Sequence, residues 1–303
     1  MPVYFFKQTI SSSHGPTHHL FKPIVKKFSG VEFHPDVLKT LRLADRANHP
    51  LHLWCDLFSS DDVMEMLLIV NAVRKIVFGR PIEATIPYVP YARQDRASNE
   101  GEANSIQIMA QLINMCDFAR VHVWDAHSDV ATALINNVDP VHVASLVPYE
   151  LTKGKILIIP DAGAAKKLKF FANCHGMDYV MCGKTRDTMT GELSKISVDW
   201  CSLSNNDHKG RDMIIVDDIC DGGRTFINLS KAFHESNSCG KLDLFTTHMI
   251  GSQGTQLLAD HFDAVYTVNP FPKVAMDFNP FHPLANPNDV RPIMKLINSS
   301  ILK

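Results

Sequence analysis

The sequence has no long apolar run. None approaches the ~18 residues of a membrane span, and Met1-Pro2-Val3-Tyr4-Phe5-Phe6-Lys7 lacks the basic segment and apolar stretch of a secretory leader. No membrane partner is therefore expected, and the chain reads as soluble and cytoplasmic. It also lacks a charge excess of either sign. With 30 Lys+Arg against 32 Asp+Glu the formal net charge is -2, so a broad basic face for duplex DNA is not expected, nor a nucleic-acid partner. The seven cysteines, at 55, 116, 174, 182, 201, 220 and 239, are odd in number and show neither a C-x-x-C pair nor zinc-type Cys/His spacing. Reduced thiols in the cytosol fit that pattern. Most of the 15 histidines sit singly in polar surroundings, as His14, His18 and His19 do, and a surface role is expected for all but one of them.

What is present is ordinary globular material: 303 residues, 45% hydrophobic and 20% charged, enough for two domains or one large one. Short β-branched runs alternate with segments of helical period, which is the α/β pattern of parallel sheets covered by helices. Strands are predicted at Leu51–Cys55, Glu83–Pro87, Val121–Trp124, Ile156–Ile159, Tyr179–Cys182, Met213–Val216, Lys241–His248 and Ala264–Val268. Helices are predicted over Asp61–Phe78, Asn104–Met115, Gly163–Ala172 and Gly223–Glu235. A seam near Pro148 divides the chain into domains 1–148 and 149–303, with a last helix that can pack on the first domain.

Three apolar strands end in carboxylates, at Asp125, Asp161 and Asp217-Asp218. In open α/β sheets the carboxyl ends of strands line the ligand crevice. A lone aspartate there is usually a helix N-cap, and the neighbours decide between the two readings. Ile214-Ile215-Val216-Asp217-Asp218-Ile219-Cys220-Asp221-Gly222-Gly223-Arg224-Thr225-Phe226 delivers two acids from an apolar strand and then a glycine turn into a helix. Glycines let successive backbone N–H groups converge, and the helix N-terminus favours an anion. The segment reads as a cradle for ribose 5-phosphate, with Asp217 and Asp218 for the 2- and 3-hydroxyls and Asp221, Gly222, Gly223, Arg224 and Thr225 for the 5-phosphate.

This segment resembles the phosphoribosyl pyrophosphate signature shared by type I phosphoribosyltransferases and phosphoribosyl pyrophosphate synthetases. Tyr88-Val89-Pro90-Tyr91-Ala92-Arg93-Gln94-Asp95-Arg96 resembles a block of the synthetases (ribose-phosphate pyrophosphokinases) that simple phosphoribosyltransferases lack. Arg93 is a rigid fork of donors suited to phosphate, and Gln94 can pair with a base edge or a phosphate oxygen. Asp125-Ala126-His127 and Pro160-Asp161-Ala162-Gly163 are similar to the family's metal segments, and Gly183-Lys184-Thr185-Arg186 to the start of its mobile catalytic loop, continued by Asp187-Thr188-Met189-Thr190-Gly191. The chain departs from the family pattern at Gly30, inside the adenine segment Phe28-Ser29-Gly30-Val31-Glu32, in the acidic stretch Ala97–Glu102, and at Arg224, where a small residue is usual.

The resemblance implies two α/β domains, each a mostly parallel, phosphoribosyltransferase-like sheet flanked by helices, with the active site between them. It implies Mg²⁺-dependent diphosphoryl transfer from ATP to the C1 hydroxyl of ribose 5-phosphate. Phe28, Glu32, Arg93, Gln94 and Asp95 are then the ATP side, His127 and Asp161 the metal residues, and Lys184 with Arg186 the catalytic cations. The partners implied are small-molecule substrates, ATP and a 5-phosphorylated ribose, and further copies of the chain, from dimer to hexamer, with Phe28 reaching a neighbour's site. Three alternatives stay open at this point. The same chemistry on ADP-ribose, serving pyridine-nucleotide metabolism, would use Arg224 for a second phosphate. A phosphoribosyltransferase would share the cradle, and a catalytically silent regulatory homologue would share the fold.

Overall fold

The structure, a computed structural model, describes residues 5–12, 15–21, 23–30, 32–38, 41, 50–186, 193–200, 203, 208–236, 239–282 and 293–296. It divides into two compact units, Met1–Val141 and His142–Lys303. Both are α/β.

The first unit is built on β1 (Phe5–Ser12), β2 (Gly15–Phe21), β3 (Ile24–Lys27), β4 (Phe33–Asp36), β5 (Leu51–Trp54), β6 (Ile82–Ile86), β7 (Arg120–Trp124) and β8 (Val138–Val141). Its main sheet has the order β2-β1-β5-β6-β7-β8. The run from β5 to β8 is parallel, and β1 joins antiparallel to both β2 and β5. The helix Ser60–Ile76 covers one face, burying Val63, Met66, Ile69, Val70 and Val73 at helical spacing. Leu51, Leu53, Ile82, Ala84, Ile86, Val121 and Val123 meet it from the strands and complete the core. The Ser59 hydroxyl accepts the Asp62 N–H at 3.3 Å, while the Asp62 carboxylate accepts the Phe58 N–H at 2.8 Å. Reciprocal bonds of this kind close a helix start.

The second unit holds β9 (Ile156–Ile159), β10 (Tyr179–Arg186), β11 (Leu193–Asp199), β12 (Met213–Cys220), β13 (Leu242–Met249), β14 (Ala264–Pro270), β15 (Phe278–His282) and β16 (Ile293–Leu296). The sheet order is β11-β10-β9-β12-β13-β14-β16-β15. Its middle, β10-β9-β12-β13-β14, is parallel, and both edges are antiparallel. Every residue of β9 and β13 is buried, as expected of strands covered on both faces.

All eight strands and four helices predicted from periodicity are present. One expectation needs correction. The run Gly183–Arg186 is not a loop after Cys182, because β10 continues through it and pairs with β11. The hairpin β1–β2, the edge strand β15 and its neighbour β16 are strands that periodicity did not predict. The segment Ile293–Leu296 is a strand of the second unit, and residues 283–292 and 297–303 lie outside the described ones. Among the described residues Cys55, Cys116, Cys174, Cys182, Cys220 and Cys239 form no disulfide with one another, and no helix is long and apolar enough to cross a membrane.

Candidate active site

The strand β12 runs four residues beyond its predicted end, so Asp217 and Asp218 belong to the strand itself. Asp217 stands in register with Thr246 of β13, and Ile219 with His248. The Asp217 carboxylate accepts the Asp218 N–H and the Asp218 carboxylate accepts the Ile219 N–H, each at 2.9 Å. Burial, and then the neighbouring charge of Asp218, push the Asp217 carboxyl well above its ordinary range. Two like charges crowded together out of water are costly, and a ligand that donates hydrogen bonds or brings positive charge relieves them.

The chain then turns through Asp221, Gly222 and Gly223 into the helix Arg224–Glu235. Gly223 has φ 75°, and a Cβ there would lie 3.1 Å from Leu258 Cδ2. Only glycine takes that conformation in that space without strain. Its N-cap residue, Gly223, has no side chain with which to cap the helix, and Arg224 and Thr225 of the first turn are exposed. Lys167, on the helix Ala165–His175, sets its Nζ 3.9 Å from Asp218 Oδ2. Sequence reading missed Lys167, and its only signal was the pair Lys166-Lys167 a few residues after Asp161.

In the first unit, Phe28 and Glu32 sit at the turn of the β3–β4 hairpin, closed by the Phe28 N–H donating to the Glu32 carbonyl at 2.8 Å. Together with Phe33, His34, Ser60, Asp61, Met64 and Leu68 they line an open groove of about 770 Å³. Phe28 is 54% exposed, with its ring centroid 6.0 Å from that of His34. Arg93, Gln94 and Asp95 do not line this groove. They follow Tyr91, whose φ of 63° forces a tight turn closed by the Gln94 N–H on the Tyr91 carbonyl. The Tyr91 hydroxyl and Ser60 Oγ are 3.0 Å apart, which ties the block to the rim of the groove. Arg93 and Gln94 are exposed. The acidic stretch beyond them closes on itself. Glu102 accepts from Asn99 Nδ2 at 2.6 Å and from the N–H groups of Ser98 and Asn99, and these bonds hold its carboxyl below the usual range.

Asp125 follows β7 with φ 42°, is buried, and donates its N–H to the Val141 carbonyl, so it serves the turn that presents His127. His127 is exposed in the first unit, while Asp161 is partly exposed in the second, where its Oδ1 accepts the Ala164 N–H at 3.1 Å. The donor set at the strand ends of the second unit is all carboxylate, from Asp161, Asp217 and Asp218. With a like-charged buried pair among them, that set fits magnesium, a hard cation that prefers oxygen. Lys184 and Arg186 lie on β10, in register with Ile196 and Leu193 of β11, and Asp187–Gly191 lie outside the described residues. One histidine expectation fails. His248 is 2% exposed, hydrogen-bonded to Asn269 Nδ2 at 3.0 Å, and so belongs to the core.

Residues 18–116 match the family model of the N-terminal domain of ribose phosphate pyrophosphokinase. Over 246 residues the chain is 28% identical to the ribose-phosphate pyrophosphokinase of Granulibacter bethesdensis, covering 78% of this chain and 74% of that one. The ribose-phosphate pyrophosphokinase of Pyrococcus furiosus is 27% identical over 255 residues, covering 82% and 85%. Among solved structures, the phosphoribosylpyrophosphate synthetase from Mycobacterium smegmatis superposes with a TM-score of 0.63 at 20% identity, over 80% of this chain and 78% of that one. That likeness establishes the fold.

Proposed function

We propose that this relative of the ribose-phosphate pyrophosphokinases transfers a diphosphoryl group from Mg-ATP to the C1 hydroxyl of ribose 5-phosphate, forming phosphoribosyl pyrophosphate and AMP. The observation that carries the reading is the β12 corner: two crowded carboxylates and a glycine at φ 75° that serves as the N-cap of the next helix, all within Asp217–Thr225. The acids take the sugar hydroxyls, and the first-turn N–H groups of Arg224 and Thr225 take the 5-phosphate.

The bond from the sugar O1 to the β-phosphorus forms as the bond from that phosphorus to the oxygen bridging the α-phosphorus breaks. AMP leaves with the electron pair, and the hydroxyl proton passes to solvent. No side chain is assigned as base, because phosphoryl transfer is accelerated mainly by positioning and charge. Phe28 and Glu32 hold the adenine end of ATP, and Arg93 and Gln94, with Asp95 beside them, hold its phosphates. Lys184 and Arg186 stabilise the charge that spreads over the transferring group. His127 in the first unit and Asp161 in the second are the residues the reading assigns to magnesium, which would neutralise the ATP phosphates.

The chain works as a homo-oligomer in the cytoplasm, with small molecules as its substrates. Ribose 5-phosphate is the preferred acceptor, in keeping with the similarity to ribose-phosphate pyrophosphokinases, so its kcat/KM exceeds that of ADP-ribose. The test is incubation with Mg-ATP and each sugar phosphate while AMP is measured. AMP formation that needs ribose 5-phosphate supports the reading. ADP as the only nucleotide product, or no turnover, rejects it.

A further inference from the structure

The first sheet has a second face, unlike the apolar one packed by the helix Ser60–Ile76. At alternating positions it carries His52 and Trp54 on β5, Glu83 and Thr85 on β6, Arg120, His122 and Trp124 on β7, and Asp139 on β8. Register brings the polar members side by side. His52 pairs with Glu83, Thr85 with His122, and His122 with Asp139. The donor atoms offered by His52, Glu83 and His122 all lie within 4.8 Å of one another. The two imidazoles stack with centroids 5.7 Å apart and planes 18° from parallel, and His52 Nδ1 is 3.8 Å from Glu83 Oε2. Below them Trp54 and Trp124 meet edge to face at 5.3 Å and are 4% and 1% exposed. The three side chains are themselves only 20%, 27% and 24% exposed.

We propose that His52, Glu83 and His122 form a binding site for a divalent transition metal of the zinc class, separate from the magnesium that accompanies ATP. Two imidazoles and a carboxylate are ligands that zinc, cobalt and nickel accept readily, whereas magnesium prefers oxygen alone. Donors on one tetrahedral zinc, bonded at about 2.0–2.1 Å, sit roughly 3.3 Å apart. Each of the three therefore moves inward by under about 1 Å, within reach of side-chain rotation on fixed strands. The second ring nitrogens already have orienting partners, as histidine ligands usually do. His52 Nε2 is 2.7 Å from Thr85 Oγ1, and His122 Nδ1 is 3.3 Å from Asp139 Oδ2. The metal thus takes His52 Nδ1, the nitrogen facing Glu83, and His122 Nε2. Asp139 also lies 3.6 Å from Arg120 Nη1, and this second partner suits an orienting carboxylate better than a direct ligand. Three protein ligands leave one position for water, and the bound ion ties β5, β6 and β7 together.

The proposal is independent of the reading of the β12 corner. Its test uses the full chain, stripped of metal and equilibrated with zinc in excess magnesium, so that oxygen sites are already filled. Metal retained after desalting is counted, and thermal unfolding is followed with and without zinc. The expected result is one zinc retained per chain and a melting temperature raised by zinc, since a ligand of the folded state stabilises it by mass action. Glu83→Gln, close to isosteric, unfolds at the wild-type temperature without zinc but loses the zinc-induced rise. His52→Ala loses the retained ion, and Asp139→Asn keeps the stoichiometry while weakening affinity about 10–100-fold. Absence of retained zinc in the wild type, or equal retention in wild type, Glu83→Gln and His52→Ala, overturns the proposal.

Discussion

The helices Ser60–Ile76 and Arg224–Glu235 begin in opposite ways. The first is closed by its own sequence, with the Ser59 hydroxyl on one N–H and the Asp62 carboxylate on another. The second begins at Gly223, an N-cap residue with no side chain of its own and a left-handed backbone. A helix end with its donors satisfied serves the fold, and one without them is available to an anion. The price of that availability is visible next door, in the raised Asp217 carboxyl and a left-handed glycine pressed against Leu258.

If the contrast is real, changes at the two sites should separate activity from stability. The largest effect lies beyond both helices. Lys184→Ala should lower kcat by about 10²–10³ while leaving the KM of either substrate nearly unchanged, because a cation meeting developing charge acts on the transition state. Steady-state kinetics check this, and retention of more than about a tenth of wild-type kcat removes Lys184 from the role.

Gly223→Ala should cut kcat/KM for the sugar phosphate by about 10–100-fold, since a methyl group 3.1 Å from Leu258 Cδ2 at φ 75° displaces the N–H groups that hold the phosphate. Titration of ribose 5-phosphate at saturating ATP measures it, and an unchanged value would mean that the turn is structural only.

Asp217→Asn sharpens the contrast through pH. A carboxyl raised in the folded state contributes stability below its unfolded pKa and loses it as pH rises through the folded value. The ligand-free variant should therefore gain melting temperature over wild type at neutral pH, the gain shrinking toward acid, while activity falls. Calorimetry across pH checks the slope, and a gain that is constant with pH would contradict it.

The smallest effect is expected at the closed helix. Ser59→Ala should cost about 0.5–2 kcal/mol of stability, the usual loss of a helix cap, with kinetics at saturating substrates unchanged. Denaturant unfolding alongside the activity assay tests both halves of that statement.

The β12 corner was legible in the sequence because its chemistry is main-chain chemistry. Converging N–H groups require glycine, and the strand that feeds them must be apolar, so residue types at adjacent positions carry the information. The Gly183–Arg186 segment was misread because its strand character comes from a partner. A polar stretch has no period of its own to show, and pairing with Leu193–Asp199 is what extends β10. The hairpin β1–β2 escaped for the same reason. Lys167 and the His52–Glu83–His122 cluster escaped for another. Their members are far apart along the chain and meet through strand register or across a helix and a strand, which no local spacing reveals. His248 looked like any other histidine in the sequence, and only the burial of β13 on both faces makes it a core residue.

The central claim is that two phosphorus atoms move together, and ATP labelled at the β-phosphorus tests it most directly. With ribose 5-phosphate and magnesium present, label should pass into the sugar product in amounts equal to the AMP formed, and Gly223→Ala should slow both in parallel. Label retained in ADP, with only the γ-phosphoryl group transferred, would contradict the account.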